Sequence, residues 1–442
     1  VKPSKKKQVK ISPPIVIASS FLFLITLGTL LLKLPIATTA PISWTDTLFT
    51  ATSATTVTGL SVFDTDTTLT LFGEMVLLLL IQCGGIGLMT FAVATLILLR
   101  RKIGLQNRIY LQESFSQNSI GGIVKLVKMI LTFALSVEAI AIAMLTIYWL
   151  PDYGFQEAVN LSVFHVISAF NNAGFSLFPD NLMSFGNDPF VLVLLSSLFI
   201  LGGLGFTVVV DIYQKKSLRS WSLHTKLMVW GTLALNLGAT LIILALEFGN
   251  PESLGGKSWG EKILSSYFAA VTPRTAGFNV FDYGTLEDPT LLFTMALMFI
   301  GAGSASTASG IKLTTFIVVL LSTYAFLRSQ KEPEIFGRAI RIETIVRSLA
   351  ITTISLLLVL LFSFLLTVTE KIPFLPLVFE VVSAFGTVGL SMGITAQLSD
   401  LGEILLSLVM FVGRIGPLTL FFILMKPKKD HFRYPYDQVF TG

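Results

Sequence analysis

The chain of 442 residues is poor in charge: Asp, Glu, Lys and Arg make up 13% of it, about half the share of an average soluble domain. Its single cysteine, Cys83, excludes an intrachain disulfide and any multi-cysteine metal site. The three histidines, His165, His224 and His431, share no span with an activated nucleophile or a metal-ligand pattern, so no enzyme active site is expected. No polar stretch is long enough to bury a core of its own; the largest are 100–124, 328–345 and 426–442. A nucleotide-binding G-x-x-x-x-G-K-[ST] loop is also missing, because "GIKL" at 310–313 lacks the adjacent Gly-Lys-Ser/Thr.

What the chain has is apolar length, with 53% hydrophobic residues. Crossing a bilayer takes about 20 such residues. Runs of that kind lie near 14–35, 70–99, 125–150, 189–213, 225–248, 290–327, 346–368 and 402–425, eight in all. Basic residues crowd the cytosolic ends of spans. With eight spans one side collects the amino terminus, then Arg100, Arg101, Lys102 and Arg108, then Lys215, Lys216 and Arg219, then Arg328, Lys331, Arg338 and Arg341, and finally Lys426, Lys428, Lys429 and Arg433. Both termini are therefore expected in the cytosol. The net charge of +5 is accounted for by this sorting and implies no nucleic-acid partner. The first apolar run ends in no A-x-A-like cleavage site and reads as a span.

Four stretches align without gaps: "TTVTGLSVF" (55–63), "FNNAGFSLF" (170–178), "PRTAGFNVF" (273–281) and "FGTVGLSMG" (385–393). Ten residues before each shared glycine stands an aromatic, Phe49, Phe164, Tyr267 or Phe379, and six before stands Ser53, Ser168, Val271 or Ser383. Further on, each next span holds a glycine cluster: "CGGIG" (83–87), "LGGLG" (201–205), "GAGS" (301–304) and "VGRIG" (412–416). The clusters at 84–87 and 202–205 read equally well as close helix packing. Each unit is thus span, short apolar helix, small-residue loop, span. The short helices, near 45–57, 157–171, 260–273 and 376–387, cannot cross and are expected to be re-entrant. Irregular backbone at membrane depth is tolerated only in packed protein or around a wet cavity.

The expected fold is an all-α membrane protein of four tandem repeats around a pseudo-fourfold pore, with eight transmembrane helices and four pore helices. Its segments are a basic amino terminus (1–13), repeats at 14–99, 100–213, 214–327 and 328–425, and a tail (426–442). A desolvated alkali ion needs oxygen ligands, which a ring of backbone carbonyls supplies without fixed charge. Candidates are Val57, Thr58 and Gly59; Asn172, Ala173 and Gly174; Thr275, Ala276 and Gly277; and Thr387, Val388 and Gly389.

"TVG" at 387–389 and "TTVTG" at 55–59 resemble the potassium-channel filter signature, and four such units in one chain resemble the potassium transporter superfamily of Trk, Ktr and plant HKT proteins. Within it, the chain looks most like the membrane subunits of bacterial Ktr systems. The sequence departs from the channel signature in having one filter glycine per copy and no following Tyr-Gly. The resemblance implies potassium as the transported ion, bound at the filter carbonyls, and Gly59 favours potassium over sodium. Sodium as activator or coupled ion stays open, and no organic cofactor is implied. It further implies a bacterial cytoplasmic membrane, a homodimer, and a separate cytosolic ring of RCK proteins binding ATP or ADP. The loop 328–341 and the tail offer basic and aromatic anchors for that ring.

The run "GAGSASTASG" (301–310) interrupts the span 290–327, which is too long for one straight helix. Its three glycines and four hydroxyl residues disfavour helix. By resemblance it is a flexible gate below the filter, built from Gly301, Gly303, Ser304, Ser306, Thr307, Ser309 and Gly310; a kinked packed helix is the alternative. Arg414 is a charge inside a span, costly unless paired or wet. It is expected either below the filter, opposing cation flow, or paired with Glu138; Lys312 is expected to snorkel from the loop end. The competing function is an ion-coupled secondary transporter of a small solute. That would need inverted repeats and carboxylates at the site.

Overall fold

The structure, a computed structural model, describes residues 13–87, 123–330 and 332–424. The expected basic amino terminus, the end of the second span (88–99), the turn carrying Arg100 to Arg108, Lys331 and the tail 426–442 lie outside the described residues.

Four described helices are long and apolar enough to cross a membrane whole, and each opens one of the four units. They are α1 (Pro13–Leu32), α5 (Ile123–Phe170), α8 (Leu223–Glu247) and α12 (Ile342–Thr369). Large apolar side chains stand exposed along them, among them Phe23, Ile147, Leu241 and Phe364. Such a surface suits lipid and not water. With 48 residues, α5 would be about 72 Å long if straight, more than twice a bilayer core of about 30 Å. It is not straight, because Gly154 takes φ 74 and ψ 170, three residues beyond Pro151. The span expected at 125–150 and the short helix expected at 157–171 meet at this kink.

The other short helices are α2 (Trp44–Thr56), α9 (Trp259–Val271) and α13 (Phe374–Gly386). Capping boxes start two of them: Ser43 Oγ accepts from the Asp46 N–H at 2.9 Å, and Ser258 repeats the arrangement with Glu261. Each short helix packs against the second-span helix of the preceding unit. Thus α5 lies on α4 (Leu71–Ile86), α9 on α6 (Pro189–Leu204) and α13 on α10 (Asp288–Phe299). The first short helix, α2, packs on α14 (Asp400–Ile415) of the last unit, so the series closes on itself.

Only the third second span was expected to break, yet the second and fourth are interrupted as well, and in the first the described helix ends at a glycine. Helix α4 stops at Gly87, α6 at Gly205 and α14 at Gly416, with φ of 91°, 101° and 86°. A left-handed residue ends a right-handed helix, and glycine takes that conformation without penalty. After Gly205 the chain turns by 90° into α7 (Phe206–Gln214), and after Gly416 it restarts as α15 (Pro417–Leu424) with proline at its first position. In the third unit an irregular stretch, 300–312, separates α10 from α11 (Leu313–Leu327).

The repeated aromatics Phe49, Phe164 and Phe379 are fully buried in one continuous apolar core, as are Leu60, Phe175, Phe278 and Leu390 just past each shared glycine. Between α11 and α12 a small hairpin pairs Glu334–Ile335 with Arg338–Ala339, turning on Phe336 and Gly337, both at positive φ as tight hairpins require.

Candidate functional site

The four aligned glycines meet. A methyl group on Gly59 would fall within 3 Å of the Ala173 carbonyl oxygen, one on Gly174 within 3 Å of the Ala276 oxygen and the Gly277 Cα, one on Gly277 on the Val388 oxygen, and one on Gly389 on the Thr58 oxygen. Each unit touches the next and the fourth touches the first. Backbone geometry repeats as well. The residue two before each glycine is left-handed, with φ of 59° at Val57, 61° at Asn172, 72° at Thr275 and 48° at Thr387, and the glycines follow at 96°, 70°, 79° and 92°. Nothing but a bare Cα fits at these glycines, on both conformation and space. The flanking Thr58, Ala173, Ala276 and Val388 are buried, so no side chain there is displayed to water.

In three units the serine six before the glycine ties this strained backbone to the short helix. The N–H groups of Thr58, Ala173 and Val388 donate to the carbonyls of Ser53, Ser168 and Ser383, each at 2.8 Å. The N–H of Gly59 and of Gly389 then donates to Ser53 Oγ and Ser383 Oγ at 3.1 Å. In the third unit, where Val271 replaces serine, Thr272 takes over: its carbonyl accepts from Ala276 and Gly277, and its Oγ1 donates to the Phe278 carbonyl. Pro273, which has no N–H, follows the helix end and shifts the register by one residue.

The second-span glycines divide into two kinds. Gly84, Gly202 and Gly413 press against the carbonyls of Thr55, Phe170 and Phe385, the ends of their own short helices, where a Cβ would collide. In these three clusters the earlier glycine packs closely and the last one, Gly87, Gly205 or Gly416, ends the helix. The third cluster differs. Gly301 faces the Ser309 carbonyl of its own loop.

That loop is folded. The Gly303 N–H donates to the Gly203 carbonyl at 2.8 Å, the Phe206 N–H to Ala305 O at 2.8 Å, and Thr307 Oγ1 to Asn172 Oδ1 at 2.8 Å. Ser306 Oγ turns back to Gly303 O at 2.7 Å, and a parallel bridge joins Ile300 to Ile311. Arg414 bonds it from the other side. Its guanidinium donates to the Thr307 carbonyl, to Ser309 Oγ at 3.1 Å, and to the carbonyls of Gly84 and Gly85. The expected alternative of a pair with Glu138 is wrong: the Glu138 carboxylate accepts from Gln82 Nε2 at 3.0 Å and from Asn171 Nδ2 at 3.5 Å. Lys312 does not snorkel free but donates to Ala308 O at 2.8 Å within the loop. Below lies a cavity of about 920 Å³, lined in part by Gly87, Ser304, Ser306, Gly310, Lys312 and Arg414.

A family model of cation transport proteins, TrkH, matches residues 3–434. The chain belongs to this family. It is 53% identical over 436 residues to the "Ktr system potassium uptake protein B" of Bacillus subtilis, covering 99% of this chain and 98% of the relative. The protein of the same description from Vibrio alginolyticus is 42% identical over 440 residues, with 99% and 97% covered. Among solved structures, the potassium transporter TrkH of Vibrio parahaemolyticus shares the fold with a TM-score of 0.76 at 18% identity, covering 95% of this chain and 86% of that one. Membership in a transporter family agrees with the absence of enzyme motifs expected from the sequence.

Sequence reasoning missed one member of the site of this cation transporter. Arg274, three residues before the third glycine, is buried, with Nη1 donating to Asn236 Oδ1 at 2.9 Å and Nη2 to Thr232 Oγ1 at 3.3 Å. The signal was present, as an arginine amid "VTPRTAGF" (271–278). Asn171, at the same position in the second unit, binds Gln82 Oε1 at 2.6 Å beside Glu138. These side chains anchor the glycine loops to the spans beside them.

Proposed function

We propose that this chain is the potassium-translocating subunit of a bacterial uptake system, passing the ion through a ring of backbone carbonyls contributed by its four units. The observation that carries the proposal is the closed cycle of left-handed residue, intervening residue and glycine. Alternating handedness turns successive peptide planes so that their carbonyls can face one side. Four such edges around an axis replace the hydration shell of an alkali ion without fixed charge. Re-entrant helices whose carbonyl ends approach the ring add partial negative charge that favours a cation. Potassium uptake by relatives 53% and 42% identical over nearly their whole length supports the choice of ion.

Below the ring, the loop 300–312 closes the path and Arg414 latches it, while the guanidinium charge opposes cation entry. Opening requires the loop to leave the Gly202–Gly203 edge and Arg414 to release its carbonyl partners. Two copies of the chain pair in the cytoplasmic membrane with both termini in the cytosol. A nucleotide-binding RCK ring docks beneath them, and the half-exposed Phe336 at its hairpin tip, beside Arg338, is the anchor within 328–341.

Reconstituted vesicles test the function. Potassium flux should exceed sodium flux in the intact chain, and the preference should vanish in Gly277→Ser. Equal fluxes of both ions through the unaltered chain would remove the filter assignment. Repeating the measurement with and without a sodium gradient separates activation or coupling by sodium from passive flow.

A further inference from the structure

The four filter glycines are alike in backbone but not in what holds their carbonyls. Among the described residues, one of these oxygens takes a side-chain hydrogen bond: Asn181 Nδ2 donates to Gly174 O at 3.2 Å. Asn181 is itself left-handed (φ 60°), a conformation asparagine tolerates better than other side chains. Its Oδ1 accepts from the Asn279 N–H of the third unit at 3.3 Å, and the Leu182 N–H returns a bond to Asn279 O at 3.2 Å. Behind it, Ser176 Oγ lies 3.1 Å from the Asn181 carbonyl oxygen and 2.9 Å from Nε2 of the fully buried His165. A polar chain, buried at His165 and Ser176 and half-buried at Asn181, thus runs from the second short helix to a filter oxygen.

The peptide after a glycine at positive φ is the easiest in the ring to rotate, because no Cβ resists the turn. A carbonyl oxygen has two lone pairs. One bond from Asn181 therefore fixes the plane and leaves the other lone pair for an ion. We propose that Asn181 is a positioning residue of the pathway: by holding the Gly174 carbonyl in one orientation it strengthens the preference for potassium over the smaller sodium ion, which a ring free to collapse would accommodate. The inference rests on the filter assignment proposed above and deepens it.

The test measures the ratio of potassium to sodium flux in vesicles carrying the full chain. Asn181→Gly keeps the left-handed backbone open and removes both side-chain bonds. Asn181→Asp keeps an acceptor for Asn279 and replaces the donor to Gly174 by an oxygen. Both variants should lower the ratio by about two- to tenfold, the range that one net hydrogen bond represents. A purely structural link between units would show in Asn181→Gly and not in Asn181→Asp. An unchanged ratio in Asn181→Asp overturns the inference, and this variant alone decides should Asn181→Gly fail to accumulate. Gly277→Ser is measured beside them. If it shifts the ratio while Asn181→Asp does not, the filter stands and the role of Asn181 falls; if it leaves the ratio intact, both fall.

Discussion

The ring of glycines and the helix interruptions beneath it are built by opposite rules. In the ring, four segments with different side chains, Thr58, Ala173, Ala276 and Val388 before their glycines, adopt nearly the same backbone. Below it, the described second-span helices of the first, second and fourth units each end at one glycine, whereas the third gives way to the loop 300–312. Ligation by carbonyls depends on backbone alone, so side chains there are free to vary while conformation is not. Obstruction needs only one element long enough to fill a narrow path, so symmetry there is dispensable. On the proposed function, the fold separates selection, assigned to all units, from closure, assigned to one.

The sharpest way to break the ring is Gly277→Ser. A left-handed conformation costs a non-glycine residue about 1–2 kcal/mol, and the new side chain would also overlap the Val388 carbonyl and approach the Gly174 Cα at 3.0 Å. Since 1.4 kcal/mol is about a factor of ten, potassium uptake should fall at least about tenfold and the preference over sodium should be lost. Initial rates of both ions in reconstituted vesicles decide it. Retained selectivity would mean that the ring is packing and nothing more.

The next effect belongs to the loop. Arg414→Gln removes a guanidinium that holds Thr307 and Ser309 of the loop to Gly84 and Gly85 of the first unit. Hydrogen bonds to charged groups contribute about 1.5–3 kcal/mol each, partly recovered by the amide. Potassium flux should rise by several-fold up to about tenfold, with the ion preference unchanged. A rise accompanied by lost preference would show that Arg414 shapes the ring as well as the latch.

The ring was legible in the sequence because its requirement, a glycine in fixed register, is written in residue type. Aromatics ten residues earlier and, in three units, serines six earlier repeated with it; Phe49, Phe164 and Phe379 are buried packing, and Ser53, Ser168 and Ser383 are backbone anchors. The long run 301–310 was legible for the same reason. Helix ends at Gly87, Gly205 and Gly416 were not, since one glycine inside an apolar span is equally compatible with a continuous helix. Partners of Arg414 were beyond reach too: carbonyl oxygens leave no trace in side-chain sequence, whereas a carboxylate such as Glu138 does. Arg274 was overlooked because its acceptors, Thr232 and Asn236, sit a full span away.

The smallest effects separate the units of the ring from one another. Ser53 Oγ and Ser383 Oγ accept from the N–H of Gly59 and Gly389, whereas Ser168 Oγ and Thr272 Oγ1 donate to the carbonyls of Phe175 and Phe278. Removing an acceptor strands a buried N–H, a loss of about 1–3 kcal/mol, while a carbonyl has a second lone pair through which to find another partner. Ser53→Ala and Ser383→Ala should therefore lower the potassium-to-sodium flux ratio by about two- to fivefold, and Ser168→Ala and Thr272→Ala by less. Equal effects at all four positions would show that these hydroxyls act by filling space, and that the near-fourfold ring is held by its glycines and short helices alone.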